Sequence, residues 1–463
     1  MRRPQTTEST GSAREVGPNK ESDNDRTRSV VVDNSSKLDS TNLKAQILDK
    51  RNLWYAANRV ITNHGKPGID GLTVEELKDY LWEDDHGKKL YTRLTKGSYR
   101  PQPVRRVTIP KPNGGTRKLG VPTVVDRMVQ QAAAQVLSKK FEPLFSNNSF
   151  GFRPNCSAHD AIYRCIDLYN QGFHFVIDLD LKAYFDTVDH DLLIKFIERE
   201  VPENWVLTLI RRFLTSGTMI GNQFEASKSG TPQGGPISPL LGNIYLNELD
   251  KELTRRGHQF VRYADDCNIF VKSQRAGERT LKAITHFLEK TLKLTVNQEK
   301  TRVVRATEMQ FLGFSLQTGP GGVRPVPCSK TRKRIKQELK TLTRRSRGIS
   351  KDRLYSELRQ KMTGWLNYYG IAQMNSFINR LNTWLRARMR QYYWKQWKRV
   401  KTKAIKLKQL GIPEYKALSV ASTRKGPWRA VHLKTVQMAL NNAKLEADGF
   451  MDLSKALRKI QRA

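Results

Sequence analysis

The feature that most constrains this chain is a pair of adjacent aspartates between two short apolar runs. Residues 260–263 and 267–271 are rich in β-forming side chains, and Asp265 and Asp266 stand between them. This pattern predicts a β-hairpin with both carboxylates at its turn. An ordinary acidic turn also explains the pair, because aspartate favours turns through hydrogen bonds to nearby backbone. The apolar flanks favour a bound cation, since two like charges near a core repel each other unless a cation neutralises them.

A second acidic cluster lies upstream, in residues 173–186. Asp178 and Asp180 share one face of a predicted strand whose other face carries Ile177 and Leu179. A hard cation such as Mg²⁺ binds one or two carboxylates together with substrate phosphates, so one of these aspartates is a candidate third ligand. An edge strand with its polar face in water explains the same residues, and their spacing does not select between them.

The net charge of the chain indicates which class of molecule it binds. Lys and Arg total 82 against 44 Asp and Glu, a formal charge of +38, which favours a polyanion. The chain has no apolar run long enough to span a bilayer and no apolar core of a secretory signal near its start. We therefore predict a cytoplasmic protein that binds nucleic acid and no membrane. The four cysteines form no Cys-x-x-Cys pair and the eight histidines are scattered, which argues against zinc sites and disulfides.

Two further stretches in the first half of the chain can contact a phosphate-bearing ligand. Residues 104–122 predict a hairpin around an Asn-Gly-Gly turn, with Lys111 and Arg117 on either side of the tip. Two interpretations are open: these cations contact the triphosphate of a ligand, or they are solvated charges on a surface hairpin. The Gly- and Pro-rich residues 229–241 contain Gln233 and suit either close approach of backbone to a ligand or an ordinary loop before a helix.

After a Gly- and Pro-rich stretch at residues 319–327, which predicts a domain boundary, the chain becomes helical and basic. Residues 330–347 contain nine Lys or Arg and one acid, and residues 382–403 contain eight and none, interleaved with aromatics. Cations with aromatics suit RNA or single strands, although the aromatics can equally be core. We expect a mixture, with Trp365 and Trp384 in the core. The candidate nucleic-acid contacts are Arg332, Lys333, Arg334, Arg344, Arg345, Arg386, Arg388, Arg390, Lys395 and Lys398.

The order of the motifs resembles the palm of reverse transcriptases, and the details are similar to bacterial group II intron maturases. Residues 364–369, Gly-Trp-Leu-Asn-Tyr-Tyr, resemble the thumb or maturase domain of that family. Residues 394–398 and the compact tail look closest to class C members. The other matching segments, in order, are residues 109–117, 149–154, 180–186, 231–241, 263–266 and 311–314.

This resemblance implies an α+β fold shaped as a right-hand polymerase. Fingers and palm with an antiparallel sheet are followed by an all-α thumb or maturase domain and a small helical C-terminal domain. The expected layout is a disordered leader (1–40), an N-terminal extension of the fingers (41–95), fingers and palm (96–320), thumb or maturase domain (321–404) and a small DNA-binding domain (405–463).

The resemblance also assigns roles to residues. Asp180, Asp265 and Asp266 are implied as the catalytic triad that holds two Mg²⁺ ions, with the backbone carbonyl of Leu181 as another metal contact; this selects Asp180 over Asp178. Phe185 takes the position of the residue that excludes a ribonucleotide 2′-hydroxyl. The implied contacts to the incoming deoxynucleotide are Lys111, Arg117, Leu181, Phe185, Gln233 and Gly234.

The implied function is RNA-directed DNA polymerisation together with binding of a group II intron RNA for splicing and mobility, by target-primed reverse transcription. Expected partners are the intron RNA, an RNA template with a DNA primer and a DNA target, with a homodimer as an option and a bacterial, nucleoid-associated location. Neither the family's cysteine- and histidine-bearing nuclease domain nor an RNase H domain is expected. The alternatives are a domesticated or defence-associated reverse transcriptase without an intron, and an RNA-binding splicing cofactor without polymerase activity. An RNA-dependent RNA polymerase is disfavoured by Phe185.

Overall fold

The computed structural model describes residues 42–110, 116–232 and 234–462. The predicted leader (1–40), Lys111 and Gln233 lie outside these ranges. In the first half, the described residues form α1 (Leu43–Leu48), α2 (Lys50–Thr62), α3 (Leu77–Trp82), α4 (His86–Thr95), β1 (Val104–Pro110), β2 (Thr116–Val121), α5 (Val124–Phe141), α6 (Ala158–Asn170), β3 (Phe175–Leu179), α7 (Tyr184–Thr187), α8 (His190–Glu198), α9 (Asn204–Leu214), β4 (Thr218–Ile220) and β5 (Gln223–Glu225). The remaining elements are α10 (Ser238–Arg255), β6 (Gln259–Tyr263), β7 (Asp266–Val271), α11 (Gln274–Lys290), β8 (Arg302–Arg305), β9 (Phe314–Gly319), β10 (Gly322–Pro327), α12 (Ser329–Leu342), α13 (Lys351–Tyr369), α14 (Asn375–Gln396), α15 (Val400–Gln409), α16 (Glu414–Ala421), α17 (Pro427–Ala430), α18 (Lys434–Ala439), α19 (Asn442–Ala447) and α20 (Leu453–Ile460).

The N-terminal extension is helical, and residues 43–61, whose apolar side chains recur at helical spacing, form two helices rather than one. Asp49 separates α1 from α2, because its carboxylate accepts hydrogen bonds from the backbone N–H of Arg51 and Asn52 and so caps α2. Trp54, which shares the helical spacing, is 60% exposed. A local cap thus overrides the periodicity, and α2 packs on α5, where Asn52 Nδ2 donates to the carbonyl of Ala132 at 3.1 Å.

The predicted hairpin at residues 104–122 is confirmed. β1 and β2 pair antiparallel with Ile109 opposite Arg117, and β4 and β5 extend them into a four-stranded sheet in the order β2-β1-β4-β5. Strand β4 runs parallel to β1. Arg117 therefore stands on an edge strand of the fingers sheet.

The palm is a second antiparallel sheet in the order β6-β7-β3-β8. One of its faces packs against α10 and α11 in the largest hydrophobic core, which contains Ile177, Leu179 and Ile269. The other face packs against α6 and the β9–β10 hairpin through Val176 and Phe270. In register Asp178 is opposite Asn268 and Tyr263 is opposite Asp266, so the polar ends of these strands lie together at one edge of the sheet.

The Gly- and Pro-rich residues predicted as a boundary form the β9–β10 hairpin instead of a linker. Pro325 pairs with Leu316 although proline lacks the N–H that a ladder needs. This is tolerated because β10 has β9 as its one neighbour in a two-stranded sheet and is therefore an edge strand. The predicted boundary at 320/321 falls in the turn of this hairpin.

Within the described part of the chain beyond Pro327, the residues form helices and no strands. The predicted α+β class, with an all-α region following the sheets, is confirmed. Helices α12–α14 share one core, and α15–α18 form a second core around Trp394 and Trp397. The predicted boundary at 404/405 falls inside α15, and α19 and α20 return to pack on the thumb core through Leu445, Phe450, Leu453 and Leu457. None of the helices described here is both long and apolar enough to cross a membrane.

Candidate active site

The two adjacent carboxylates stand at the tip of the β6–β7 hairpin. Tyr263 and Asp266 are register partners, so Ala264 and Asp265 form a two-residue turn. Ala264 has a φ of 58°, in the left-handed region. The loop at residues 149–154 lies directly on this turn, because a Cβ on Gly151 would come within 2.3 Å of the Ala264 nitrogen. Glycine at position 151 is therefore required by close contact between two backbones.

A buried arginine stabilises this turn from the interior of the protein, and its role was not predicted from the sequence. Arg262 is fully buried and forms an ion pair with the equally buried Asp250 of α10. Its guanidinium also donates to the carbonyl of Ala264 at 2.9 Å and to Asn243 Oδ1 at 3.0 Å. Asn243 in turn donates to the carbonyl of Gly151 at 2.7 Å. One hydrogen-bond network therefore fixes α10, the Ala264–Asp265 turn and the loop at residues 149–154. The signal available in the sequence was a charge inside an apolar strand run.

The electrostatics of the turn favour a cation. Among the described residues, neither Asp265 nor Asp266 forms an ion pair or a side-chain hydrogen bond. Burial, followed by the negative charges of Asp178, Asp265 and Asp180, raises the pKa of Asp266 to about 8. Asn268, on the same sheet face, is 1% exposed, and both its side-chain amide atoms are buried with no hydrogen-bond partner among the residues that the structure describes. This edge of the sheet carries concentrated negative charge and unsatisfied polar atoms.

Asp180 follows the last residue of β3, next to Asp266 in the register of the sheet. Its carboxylate accepts a hydrogen bond from Asn297 Nδ2 at 2.8 Å and forms an ion pair with Lys300 at 3.2 Å. Its backbone carbonyl accepts from the N–H of Asn297 at 2.9 Å. Asn297 and Lys300, which sequence reasoning did not select, thus orient this aspartate.

The chemistry of this donor set fits a hard divalent cation, because it consists of carboxylate oxygens, and two of the carboxylates have no counter-charge in the part of the chain that the structure describes. Within the described ranges, however, no three His, Cys, Asp or Glu side chains converge closely enough to hold one ion. The carboxylate of Asp180 contacts Asn297 and Lys300. Binding of one ion by all three aspartates would require their carboxylates to move closer together.

A cavity of about 810 Å³ opens in front of the aspartate pair. It brings together five of the predicted site residues, and it adds residues that the sequence did not single out, from α2 and from two turns. Leu181 is not among its lining residues: it is buried and bridges to Val296. The predicted lining residues are Arg117, Phe185, Gly234, Asp265 and Asp266, and the additional ones include Arg59, Asn63, Phe152 and Leu312.

Phe185 is held rigidly at the wall of this cavity. The chain enters the short helix α7 through Ala183, which has a φ of 50°. The Tyr184 hydroxyl donates to the carbonyl of Gly242 on α10 at 2.7 Å, and a Cβ on Gly242 would lie 3.1 Å from the Phe185 ring. The Phe185 carbonyl accepts from the N–H of Thr231 at 2.7 Å. The ring therefore has little freedom to move away from a ligand.

The turn at residues 311–314 closes the cavity on the thumb side. Phe311 and Phe314 exchange backbone hydrogen bonds, and both central residues, Leu312 and Gly313, have positive φ. Thumb helix α13 binds this turn, because the Tyr368 hydroxyl donates to the carbonyl of Leu312 at 3.0 Å. A Cβ on Gly313 would lie 2.4 Å from the Tyr369 hydroxyl.

Comparison with known proteins agrees with this geometry. A family model described as reverse transcriptase (RNA-dependent DNA polymerase) matches residues 109–316, and one described as the group II intron maturase-specific domain matches residues 332–410. Protein YkfC of Escherichia coli (strain K12) is 34% identical over 306 residues, which cover 57% of this chain and 80% of YkfC. The chain belongs to the group II intron reverse transcriptase–maturase family. Its reverse transcriptase domain implies dependence on a divalent metal.

Other relatives of this reverse transcriptase are longer. Group II intron-encoded protein LtrA of Lactococcus lactis subsp. cremoris is 31% identical over 336 residues, which cover 58% of this chain and 56% of LtrA. A putative COX1/OXI3 intron 1 protein of Saccharomyces cerevisiae is 29% identical over 354 residues, 63% of this chain and 41% of the yeast protein. The chain therefore spans just over half of LtrA and less of the yeast protein.

The predicted nucleic-acid contacts of the reverse transcriptase divide into two groups. Exposed side chains are Arg332, Lys333, Arg334, Arg344, Arg345, Lys395 and Lys398, of which Arg334 pairs with Glu338. The other three, Arg386, Arg388 and Arg390, are at least half-buried and bind the protein's own groups, which are Asp452, the carbonyl of Thr343 and the carbonyl of Leu440. Their positive charges are used inside the fold, because these bonds satisfy buried acceptors.

The aromatics of the helical region are a mixture, as expected, but in a different distribution. Trp365 and Trp384 are half-buried and pack against the thumb core. Trp394 and Trp397 are 3% and 8% exposed in the second helical core.

Proposed function

We propose that the protein copies RNA into DNA by extending a DNA primer on an RNA template. The observation that carries this proposal is the Asp265–Asp266 pair, which has no counter-charge among the described residues and faces a cavity that Arg117, Phe185 and Gly234 also line. These groups suit a nucleoside triphosphate: the acidic pair can bind its metal ions, the cationic residue can contact its phosphates, and the rigid aromatic ring can distinguish deoxyribose from ribose. The reverse transcriptase match over residues 109–316 supports the same chemistry.

In this proposal Asp180, Asp265 and Asp266, with the carbonyl of Leu181, hold two Mg²⁺ ions. When bound, such ions lower the pKa of the attacking primer 3′-hydroxyl and neutralise charge on the triphosphate and leaving group. Arg117, exposed on β2, adds positive charge where the phosphates lie, and Lys111 and Gln233 keep the nucleotide contacts that the resemblance implies. The Phe185 ring occupies the space that a ribose 2′-hydroxyl needs.

The decisive test is Asp265→Ala in primer extension on an RNA template with Mg²⁺. We expect at least a roughly 100-fold loss of rate, because one carboxylate ligand of the metal centre is removed, with RNA affinity within about twofold. Asp191→Ala is the matched control, since that carboxylate is 82% exposed on α8 and pairs with Arg211. Retained synthesis by Asp265→Ala would refute the proposal.

We propose in addition that the protein binds a group II intron RNA and assists its splicing and mobility through target-primed reverse transcription. Support comes from the maturase-specific match at residues 332–410 and from the exposed cations of α12 and the loop after it. These roles place the protein with its intron RNA and DNA target at the bacterial nucleoid. Intron RNA transcribed from the flanking sequence should splice faster with protein than without it at limiting Mg²⁺, and Asp265→Ala should preserve this effect. Unchanged splicing would favour a reverse transcriptase without an intron.

The proposed division of labour follows the predicted domains with one change. Residues 41–95 extend the fingers, 96–320 form fingers and palm, and 321–404 form the thumb. Of residues 405–463, those up to about 440 form the small domain proposed to bind DNA, and α19 and α20 are grouped with the thumb because their apolar side chains lie in its core.

A further inference from the structure

A second cavity, of about 940 Å³, lies where the C-terminal end of α12 meets α14 and α17. It shares no lining residue with the catalytic cavity. Its walls combine five cationic side chains with one tryptophan, and no carboxylate of the described residues lines it. The residues that matter are Lys340, Arg344, Arg345, Trp428 and Arg429.

Four of the five cations are available to a ligand. Lys340, Arg344, Arg345 and Arg429 are all exposed, and within the described residues none of them forms an ion pair. The nearest acid in the sequence of α12, Glu338, is already paired with Arg334 and Lys361. The cavity therefore concentrates positive charge that the protein itself does not neutralise, which favours a polyanion.

A fifth cationic side chain, Arg388, forms part of the cavity wall and uses its charge inside the fold. Arg388 of α14 donates to the carbonyls of Lys340 and Thr343 at 3.1 and 2.8 Å and to Thr343 Oγ1 at 3.0 Å. These acceptors lie at the C-terminal end of α12, where backbone carbonyls lack partners within the helix. Arg388 thereby fixes the end of α12 against α14, and the loop with Arg344 and Arg345 starts from a fixed point.

Trp428 differs from the neighbouring tryptophans. Helix α17 is anchored by Ala430 and Val431, both fully buried in the core that contains Trp394 and Trp397. Trp428 is 40% exposed at the rim of the cavity, and its ring contact is an edge-on one with His432 at 5.0 Å. The backbone is thus held firmly while an indole is presented to solvent beside four cations.

We infer that this cavity binds a single-stranded stretch of nucleic acid, with one unpaired base stacked on Trp428 and the flanking phosphates on Arg344, Arg345 and Arg429. Cations alone would bind the phosphates of a duplex equally well, but the bases of a duplex have no free face on which an indole can stack. An exposed indole beside cations is the combination that recognises unstacked bases. This inference rests on the proposal that the protein binds nucleic acid, but not on its polymerase activity.

The test measures the affinity of the full-length protein for a fluorescent 12-nucleotide oligoadenylate RNA and for an RNA duplex of the same length. Trp428→Ala should weaken binding of the single strand by roughly 5- to 100-fold, the loss expected for one stacked base, and change duplex binding by less than about twofold. Trp428→Phe should recover most of the affinity because a ring is restored. Trp82→Ala, which removes an indole that is 87% exposed on α3, is the matched control and should have no effect.

The phosphate contacts are tested by salt. Arg345→Gln should reduce the slope of log affinity against log salt by about 0.7 for the single strand, whereas Arg279→Gln on α11 should not. Equal losses for single strand and duplex, or no loss in Trp428→Ala, would overturn the inference. Competition by adenosine monophosphate as strong as that by the unlabelled oligomer would also overturn the inference, since the site would then bind a free nucleotide. Measurement on an Asp265→Ala background separates this result from failure of the polymerase proposal.

Discussion

Asp178 in β3 and Asp180 directly after it have different surroundings, and this difference predicts different roles. Asp178 has Arg302 at 3.8 Å, while Asp180 is oriented by Asn297 and Lys300. If Asp180 is the metal ligand, Asp180→Asn should lower the rate of primer extension by at least about 100-fold, and Asp178→Asn by less than about 10-fold. Single-turnover extension at saturating primer–template measures both. Equal losses would contradict the assignment of Asp180.

The raised pKa of Asp266 predicts a pH-dependent stability. Its folded pKa of about 8 lies above the unfolded value of about 3.9, so the folded state favours the protonated form. The free energy of unfolding that this shift removes is zero below about pH 4, grows as pH rises and reaches its full value above about pH 8. In EDTA, Asp266→Asn should therefore raise the free energy of unfolding by on the order of 1 kcal/mol at pH 8.5, and by less at pH 5. A gain independent of pH in chemical denaturation would argue against this origin.

Phe185 predicts sugar selectivity. Because Gly242 and the Tyr184 hydroxyl bond prevent the ring from retreating, Phe185→Ala should open space for a 2′-hydroxyl and reduce discrimination against ribonucleotides by about 10- to 200-fold. The ratio of kcat/KM for dNTP and rNTP measures this. Phe224→Ala, at a 59% exposed position on β5, should leave the ratio unchanged, and an unchanged ratio in Phe185→Ala would remove that residue from the site.

At the scale of elements, the buried Arg262–Asp250 pair joins helix α10 to the β6–β7 hairpin. Arg262→Met should cost about 3–5 kcal/mol of unfolding free energy, because it leaves Asp250 buried and uncompensated. The double variant Arg262→Met with Asp250→Leu should recover most of that stability. It should not recover primer extension, since the hydrogen bond to the Ala264 carbonyl is still absent. Full activity in the stable double variant would show that the turn does not need this bond.

Elements defined by local signals were predictable from the sequence, and those defined by distant partners were not. The Asn-Gly-Gly turn gave the β1–β2 hairpin, and the alternating aspartates gave the polar face of β3. Residues 311–316 indicated a short hairpin strand, which overlaps β9, but its partner β10 was missed, because prolines argue against a strand until it is known to be an edge. Arg262 was missed because its role depends on Asp250, which lies on another element, and the orientation of Asp180 depends on Asn297 and Lys300, more than a hundred residues away along the chain.

For the whole molecule, the return of α19 and α20 to the thumb predicts the effect of truncation. Removing residues 441–463 would expose Leu366, Ile378 and their neighbours, whose core includes Leu445, Leu453 and Leu457. Each buried leucine lost contributes about 2–5 kcal/mol, so the truncated protein should show a much lower melting temperature and rapid proteolysis within α12–α14. If residues 441–463 were an independent tail, the truncation would change neither the melting temperature nor the rate of proteolysis.

The family is set by its motifs, but the joint between palm and thumb was not visible in them. Thumb helix α13 contacts the turn at residues 311–314 through Tyr368 and Tyr369, and the loop after α13 donates from the N–H of Gln373 to the carbonyl of Pro325 at 2.8 Å. The other side of that turn lines the cavity in front of Asp265 and Asp266 through Leu312. A chimera that takes its thumb from a relative therefore has to take this turn and the β9–β10 hairpin with it. A cut after Pro327 leaves a foreign tyrosine pair against the native Gly313, next to a residue that lines the cavity. Domain exchange should place its crossover before Phe311.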